Sequence, residues 1–334
     1  MSISIKSKTD LQKLREAGRI SAAALKYAGE QIKPGMTTKH LDKLIHEFIR
    51  GCGAVPNFLG YGGFPGSACI SINDEVIHGI PSKKRIIREG DIVSVDVGAL
   101  YDGFNGDNCA TFGVGKISDE AKKLLEVTQA SLYEGISKAV VGNRIGDIGH
   151  AVEEYCASRG YGIVREYCGH GIGRELHESP DIPNYGKPGH GPRLMAGMTI
   201  CIEPMINQGG DAVRVLNNGW TVVTKDGSLS AHFEHQIAIT AEGPVILTNP
   251  DEWRFVMEAA KGLVVKAIAG RDSGNWFVIV DKDGDFVFIA DGKTRKLVSP
   301  KRKNIKHVRV TKHTVDLSQV TDKKLRVALK QFTD

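Results

Sequence analysis

The sequence predicts an α+β protein made of one large domain and one small one. A chain of 334 residues is long enough for both. Up to about residue 250, segments with helical apolar spacing alternate with strands, whereas short strands prevail from Gly262 onward. The last 84 residues contain 18 basic and 11 acidic residues, which leaves 26 basic and 28 acidic ones for the rest. We therefore expect a large domain at 1–250, a linker at 251–261 and a small basic domain at 262–334.

Composition narrows the class of protein. The hydrophobic and charged fractions, 41% and 25%, are those of a globular protein. No apolar run approaches the roughly 18–20 residues of a membrane helix, and the polar N-terminus has no signal core, so we expect a cytoplasmic protein without membrane association. The six cysteines form no CxxC pair, which disfavours a zinc ribbon and fits buried, reduced thiols.

The helices and strands of the large domain are predicted from apolar periodicity and from capping and turn residues. Helices are predicted over about 10–30, 38–50, 118–140 and 145–158, the second capped by Thr38. Strands are predicted at 68–72, 91–100 and 105–114, and near 163–168, 199–206, 220–224 and 232–240. The strands at 91–100 and 105–114 are joined through Asp102-Gly103, which predicts a hairpin.

Two aspartates in this hairpin, Asp96 and Asp107, interrupt apolar or small surroundings. A buried carboxylate is costly unless a positive charge compensates it. Because the strands are adjacent and antiparallel, the two carboxylates can converge, and their repulsion would then raise a pKa or require a cation. Two solvated aspartates on an edge strand remain the alternative for this pair alone.

Three more residues extend the pattern. His170 lies in a glycine-rich segment, and Glu203 and Glu234 each interrupt an apolar strand. Four carboxylates and one imidazole suit a pair of divalent first-row ions better than a thiolate-bound zinc. Such pairs activate water in aminopeptidases. The donors do not discriminate among Co, Mn, Fe and Zn.

These five residues occur in contexts that resemble the type I, bacterial-type methionine aminopeptidases. The similarity covers nearly all of residues 10–250, including segments 69–81, 91–98 and 169–173. It implies the pita-bread fold, in which two pseudo-symmetric α/β halves surround a central cleft holding two metal ions. It also implies a monomeric catalytic domain that removes the initiator methionine from nascent polypeptides when the second residue is small.

Three other classes are less favoured. Proline-specific peptidases share the five ligands but usually carry a large N-terminal domain, whereas about ten residues precede the first predicted helix here. A non-catalytic binding protein would be expected to have lost ligands, and all five are present. A chiefly RNA-binding protein with a vestigial enzyme is the third. The large insertion of a eukaryotic type II enzyme is not seen.

The resemblance also implies roles. Glu203 would be both a ligand and the general base. His177 would hydrogen-bond the substrate amide and stabilise the tetrahedral intermediate, and His78 would assist at the scissile nitrogen. The methionine pocket would have an apolar wall of Phe58, Tyr61, Phe64, Cys69, Leu176 and Trp220, and His78 and His177 would be further substrate-binding residues. Gly62 and Leu176 stand where some relatives carry His and Phe, which leaves the pocket's shape open.

The small domain resembles a different family. Residues 262–274 are similar to the KOW motif of ribosomal proteins and transcription factors, which implies a small SH3-like barrel. Strands are predicted at 263–269, 276–281, 286–290 and about 305–310, and a helix at 321–332. Nine cations and no acid occur at 292–315, so we expect phosphate binding and propose contact with ribosomal RNA. The RNA-binding candidates are Lys293, Arg295, Lys296, Lys301, Arg302, Lys303, Lys306 and Arg309; a solvated basic face is the alternative.

Overall fold

A computed structural model describes residues 3–249, 261–268, 270–284, 286–304, 307–317 and 320–332, with the main chain alone at 309, 310 and 312. The chain divides into two compact units, Met1–Glu252 and Trp253–Asp334. Nearly all of the linker predicted at 251–261 lies outside the described residues. Among those that are described, no helix combines the length and apolarity needed to cross a membrane.

Three of the helices described in the first unit begin with a side-chain cap. Within residues 3–249 there are four α-helices: α1 (Lys8–Gln31), α2 (Thr38–Gly51), α3 (Asp119–Lys138) and α4 (Ile145–Ala157). Ser7 and Asp10 form a capping box at α1. The N-cap of α2 is Thr37, one residue before the predicted Thr38, because the Thr37 hydroxyl accepts the His40 N–H.

Fifteen strands accompany these helices within residues 3–249. They are β1 (Val55–Pro56), β2 (Ala68–Ile72), β3 (Glu75–Ile77), β4 (Ile92–Tyr101), β5 (Phe104–Gly113), β6 (Gly162–Ile163), β7 (Gly169–Gly171), β8 (Glu178–Ile182), β9 (Thr199–Ile202), β10 (Met205–Asn207), β11 (Val213–Val215), β12 (Val222–Thr224), β13 (Ser230–His232), β14 (His235–Thr240) and β15 (Gly243–Ile246).

The first half of this unit places α1 and α2 on a sheet of order β1-β4-β2, with β5 also paired to β4. The long β4–β5 hairpin is confirmed, and its tip is Asp102-Gly103. Helix α1 packs so closely that a methyl group added at Gly106 would lie 2.3 Å from the Ala17 carbonyl oxygen. Glycine is therefore required where the helix crosses β5.

The second half combines α3 and α4 with a sheet of order β15-β14-β9-β7-β8. Apolar side chains of both helices fill one core with this sheet, including Leu124, Ile148 and Ile200. Two three-stranded sheets, β13-β10-β6 and β11-β12-β3, complete the unit. The predicted strand at 199–206 is interrupted, because residues 203 and 204 separate β9 from β10.

The second unit contains β16 (Leu263–Ala267), β17 (Trp276–Asp283), β18 (Phe286–Ala290), β19 (Lys301–Asn304), β20 (Val308–Thr314) and α5 (Asp322–Lys330). The strands form an antiparallel sheet of order β19-β18-β17-β16-β20. Strand β19 was not among the predicted segments, and β20 begins later than predicted. Alternate side chains enter two apolar clusters, one of which contains Leu325 and Leu329 of α5. No pairing that closes the sheet is found among the described residues.

Candidate metal centre

The β4–β5 hairpin brings Asp96 and Asp107 together. Asp96 pairs with Cys109 and Asp107 with Gly98, so the two aspartates are diagonal neighbours on adjacent strands. Both carboxyl groups line the same cavity, and each perturbs the pKa of the other. The convergence expected from the sequence is thus present in the structure, and the Asp107 side chain is deeply buried.

Glu203 and Glu234 lie at corresponding breaks between strands in two neighbouring segments of the chain. Strand β9 ends at Ile202, opposite His235 of β14. Strand β10 starts at Met205, opposite His232 of β13. Both segments therefore pass from one sheet to another at the same level, and each has a glutamate at that point. The sequence-based expectation that these acids lie within continuous strands is wrong in this detail.

His170, in β7, faces the same point. Its Nδ1 lies 2.9 Å from the carbonyl oxygen of Gly171 and donates to it, so the lone pair is on Nε2. This Nε2 lies 3.8 Å from Asp107 Oδ2 and 3.6 Å from Glu203 Oε1. A hydrogen bond that fixes the tautomer in this way is typical of a metal-binding histidine.

Burial shifts the protonation of the whole cluster. It raises the pKa of Asp96 to about 7 and that of Glu203 to about 8, since desolvation disfavours the carboxylate form. For Asp107 and Glu234, burial raises the pKa well above the usual range, and the neighbouring carboxylates raise it further. Burial also lowers the pKa of His170 to about 3. The protein alone therefore does not compensate four negative charges here.

The donor set fits divalent cations. Asp96 Oδ1, Asp107 Oδ1 and Glu234 Oε1 are buried and have no hydrogen-bond partner in the described structure. Ligand atoms of Asp107, His170, Cys201 and Glu234 all lie within 4.8 Å of one another. Unpartnered buried oxygens are rare in proteins, and a bound ion would satisfy them. All five predicted ligands line one cavity.

That cavity has a volume of about 260 Å³, and every predicted pocket residue lines it. Its apolar wall includes Phe58, Phe64, Cys69 and Leu176, with Trp220 packed against them. The rings of Phe64 and Trp220 meet edge to face at 5.2 Å. The structure thus places an apolar pocket directly beside the carboxylate cluster.

His78 and His177 lie on two sides of the cavity. His177 lies at the rim, where its Nδ1 lies 2.8 Å from the Tyr61 hydroxyl. His78 is held edge-on against the rings of Tyr167 and Trp220. Burial lowers the pKa of His177 and that of His78, the latter to about 4, so both imidazoles are neutral at pH 7.

Sequence reasoning missed four residues at this site. His232 lies 3.6 Å through Nε2 from Glu203 Oε2, and Cys201 belongs to the group of converging ligand atoms. Gln236 accepts the Asp107 N–H at 3.4 Å, and Tyr167 lines the cavity. His232 and Gln236 flank Glu234 at a spacing of two residues, which was a usable signal; nothing in the sequence singled out Tyr167.

In the second unit, one buried carboxylate forms ion pairs with several cations of the basic segment 292–315. Asp272 lies 3.0 Å from Arg295, 2.6 Å from Lys301 and 3.7 Å from Lys303. Lys293, Lys296 and Arg302 are exposed, and the Arg302 guanidinium lies over the Phe286 ring at 3.4 Å. Lys306 lies outside the described residues, and Arg309 is described by its main chain only.

Comparison with known proteins identifies the class. The pattern of metallopeptidase family M24 matches residues 12–241, and the chain belongs to this family. Among curated relatives, a methionine aminopeptidase of Clostridium acetobutylicum is 54% identical over 246 residues, covering 74% of this chain and 98% of the relative. Methionine aminopeptidase 1 of Bacillus subtilis is 50% identical and covers 73% and 98%.

Solved structures agree. Methionine aminopeptidase from Thermotoga maritima superposes with a TM-score of 0.73 at 46% identity, covering 74% of this chain and all of that one. Prolidase from Pyrococcus horikoshii gives 0.57 at 25% identity, over 73% of this chain and 63% of that one. The first unit therefore has the pita-bread fold, and the protein is a metalloexopeptidase of family M24.

Proposed function

We propose that this chain is a methionine aminopeptidase that removes the initiator methionine from new polypeptides when the second residue is small. The observation that carries the proposal is the apolar, sulfur- and aromatic-lined cavity that opens directly onto the carboxylate cluster. An unbranched thioether packs well against such a wall. Curated relatives that are 45–54% identical to this chain, and that the match covers over nearly their full length, are methionine aminopeptidases.

Asp96, Asp107, His170, Glu203 and Glu234 would hold two divalent ions. When bound, such ions lower the pKa of a water molecule toward neutrality and polarise the scissile carbonyl. Either role requires ionised carboxylates, and ion binding offsets the burial that otherwise favours protonation. The identity of the ions among Co, Mn, Fe and Zn is not set by oxygen and imidazole donors.

The remaining steps belong to the side chains. Glu203 takes the proton of the attacking water and delivers it to the leaving amide nitrogen. Neutral His177 donates a hydrogen bond to the developing oxyanion, with its ring positioned by the Tyr61 hydroxyl. His78 contacts the substrate backbone near the scissile nitrogen.

We predict that metal-dependent release of methionine from Met-Ala-Ser falls at least about 10³-fold in Glu203→Ala, since a ligand and the base are lost together. The measurement is kcat/KM with saturating Co(II), Mn(II), Fe(II) or Zn(II), each in turn. Lys43→Ala, a change on the exposed face of α2, is the control. Undiminished activity in the Glu203 variant would overturn the mechanism.

A proline-specific peptidase is the alternative that the fold allows, since prolidases share it. The first unit matches methionine aminopeptidases over all or nearly all of their length but only 63% of the prolidase. We expect cleavage of Met-Ala-Ser and no cleavage of Ala-Pro. The free, mainly buried cysteines fit a reducing compartment, and we place the enzyme in the cytoplasm.

We further propose that the second unit is a KOW-type SH3-like barrel that tethers the enzyme to ribosomal RNA. One cluster of buried apolar residues is formed by β16, β17, β18 and β20 alone, which favours a sheet curled on itself. The exposed cations Lys293, Lys296 and Arg302 would contact phosphate. The stacked side chains of Arg302 and Phe286 are also of a kind on which nucleic-acid bases stack. Tethering would raise the effective concentration of nascent N-termini.

We predict that the full chain co-sediments with ribosomes at low salt and less so at high salt, whereas a chain ending at residue 249 does not. Arg302→Ala should reduce the slope of log affinity against log salt by about 1, the loss of one phosphate contact. Lys282→Ala, an exposed cation outside the acid-free stretch, is the matched control. Equal binding by the full and shortened chains would contradict the tethering proposal.

A further inference from the structure

His232 is a buried histidine at the end of β13. Its relative exposure is 2%, and neither ring nitrogen has a hydrogen-bond partner in the described structure. The main chain fixes the residue from both sides. Its N–H donates to the Thr111 hydroxyl oxygen at 2.9 Å, and its carbonyl accepts from that hydroxyl at 2.9 Å. The ring therefore stays in the interior, where unpartnered polar atoms are rare and need an explanation.

One ring nitrogen of His232 faces the proposed base. His232 Nε2 lies 3.6 Å from Glu203 Oε2, and His170 Nε2 lies 3.6 Å from the other oxygen, Oε1. Glu203 is thus held between two imidazoles. His170 already donates through Nδ1, so its Nε2 offers a lone pair to a cation. His232 has no such bond, and its proton is free to sit on Nε2, facing the carboxylate.

We propose that His232 is a positioning residue, whose Nε2–H donates to Glu203 Oε2 and holds that carboxylate in the orientation needed by the metal centre. The inference rests on the proposed function. A contraction of about 0.5 Å from 3.6 Å would bring the N···O distance into the ordinary hydrogen-bond range. With Oε2 held by His232, Oε1 remains directed at the cluster that contains His170 and Asp107.

The geometry favours positioning over direct ligation. His170 Nε2 lies within 4 Å of carboxylate oxygens of both Asp107 and Glu203, whereas among the described residues His232 Nε2 lies that close only to Glu203 Oε2. The imidazole of His232 therefore approaches Glu203 at the carboxylate oxygen that does not face His170. Hydrogen bonds of this outer kind typically change metal affinity or activity 10–100-fold when removed.

The test compares the full-length wild type with His232→Gln, which keeps an N–H donor, and His232→Leu, which keeps bulk without one. Apo protein is titrated with Co(II) by calorimetry, and kcat and KM are measured at saturating metal. Coordinated imidazoles are counted in the Co(II) form from the solvent-exchangeable ring N–H signals in paramagnetic NMR. His232→Met replaces the leucine variant if that variant fails to fold.

We expect the leucine variant to lose Co(II) affinity about 10–100-fold and to lose kcat with little change in KM. The glutamine variant should stay within about threefold of the wild type and show the same number of imidazole signals. Wild-type affinity in the leucine variant would overturn the proposal, as would an equal loss in both variants or the loss of an imidazole signal in either. Failure of the wild type to bind Co(II) would instead refute the metal centre itself.

Discussion

At the scale of single residues, Gly62 sets the space beside the methionine pocket. It lies in the loop before Phe64 with φ of +55°, and a methyl group added there would lie 3.3 Å from Trp220 Cη2. The tryptophan would have to yield by a few tenths of an ångström. Because Trp220 packs on the apolar wall and edge-on to His78, a side chain at position 62 would reach the substrate through it.

We predict that Gly62→Ala raises KM for Met-Ala-Ser about 3–10-fold and changes kcat less than twofold, since the wall binds ground and transition states alike. Gly60→Ala is a matched control, because φ is +85° there and nothing lies within 4 Å of the added methyl. Both variants carry the strain of a left-handed residue, on the order of 1 kcal/mol. An equal rise in KM in both would assign the effect to backbone strain.

Single residues also show what the sequence discloses about the site. Asp96 and Asp107 were recognisable because acids in apolar strands are costly. The position of His232, two residues from Glu234, was a weaker signal, because the sequence does not show whether its ring nitrogens find partners. That property depends on Thr111 and Glu203, which come from distant parts of the chain.

At the scale of elements, the contact of α1 with β5 fixes the hairpin that carries the aspartates. We predict that Gly106→Ala lowers the free energy of unfolding by about 3 kcal/mol, because the added methyl meets backbone that cannot move aside. Gly51→Ala, at the end of α2 with open space around it, should change stability by less than about 1 kcal/mol. Urea unfolding of both metal-free variants measures the difference. A loss below 1 kcal/mol at Gly106 would show that the helix shifts freely.

The helices and strands also show where apolar periodicity no longer predicts the structure. The four helices of the first unit and the β4–β5 hairpin were predicted within a few residues, because apolar spacing and caps are local signals. The interruptions at residues 203–204 and 233–234 were not predicted. A chain that changes sheets remains extended and apolar, so only its neighbours reveal the change. Strand β19, which is Lys-Arg-Lys-Asn, lacks apolar alternation altogether.

At the scale of the whole molecule, the division into two units has a direct consequence for activity. Curated relatives correspond to the first unit over 98% of their own length, so that unit has counterparts that exist as whole proteins. We predict that a chain ending at residue 249 releases methionine from Met-Ala-Ser within twofold of the full-length rate. A tripeptide assay at equal metal content measures this. A loss above tenfold would make the second unit part of the catalytic structure.

The breaks opposite each other at Glu203 and Glu234 have one more consequence. Pro204 has no N–H to donate, and the one backbone hydrogen bond found across the gap in the described part of the chain is the 3.4 Å contact of the Phe233 N–H with the Pro204 carbonyl. Ions held by both glutamates would tie the two chains together at the level where the ladder of backbone hydrogen bonds is interrupted. Amide hydrogen exchange at residues 202–205 and 232–235 should therefore slow on metal addition more than exchange in β4. The bound ions would then link the two segments where the backbone hydrogen bonds between them are interrupted.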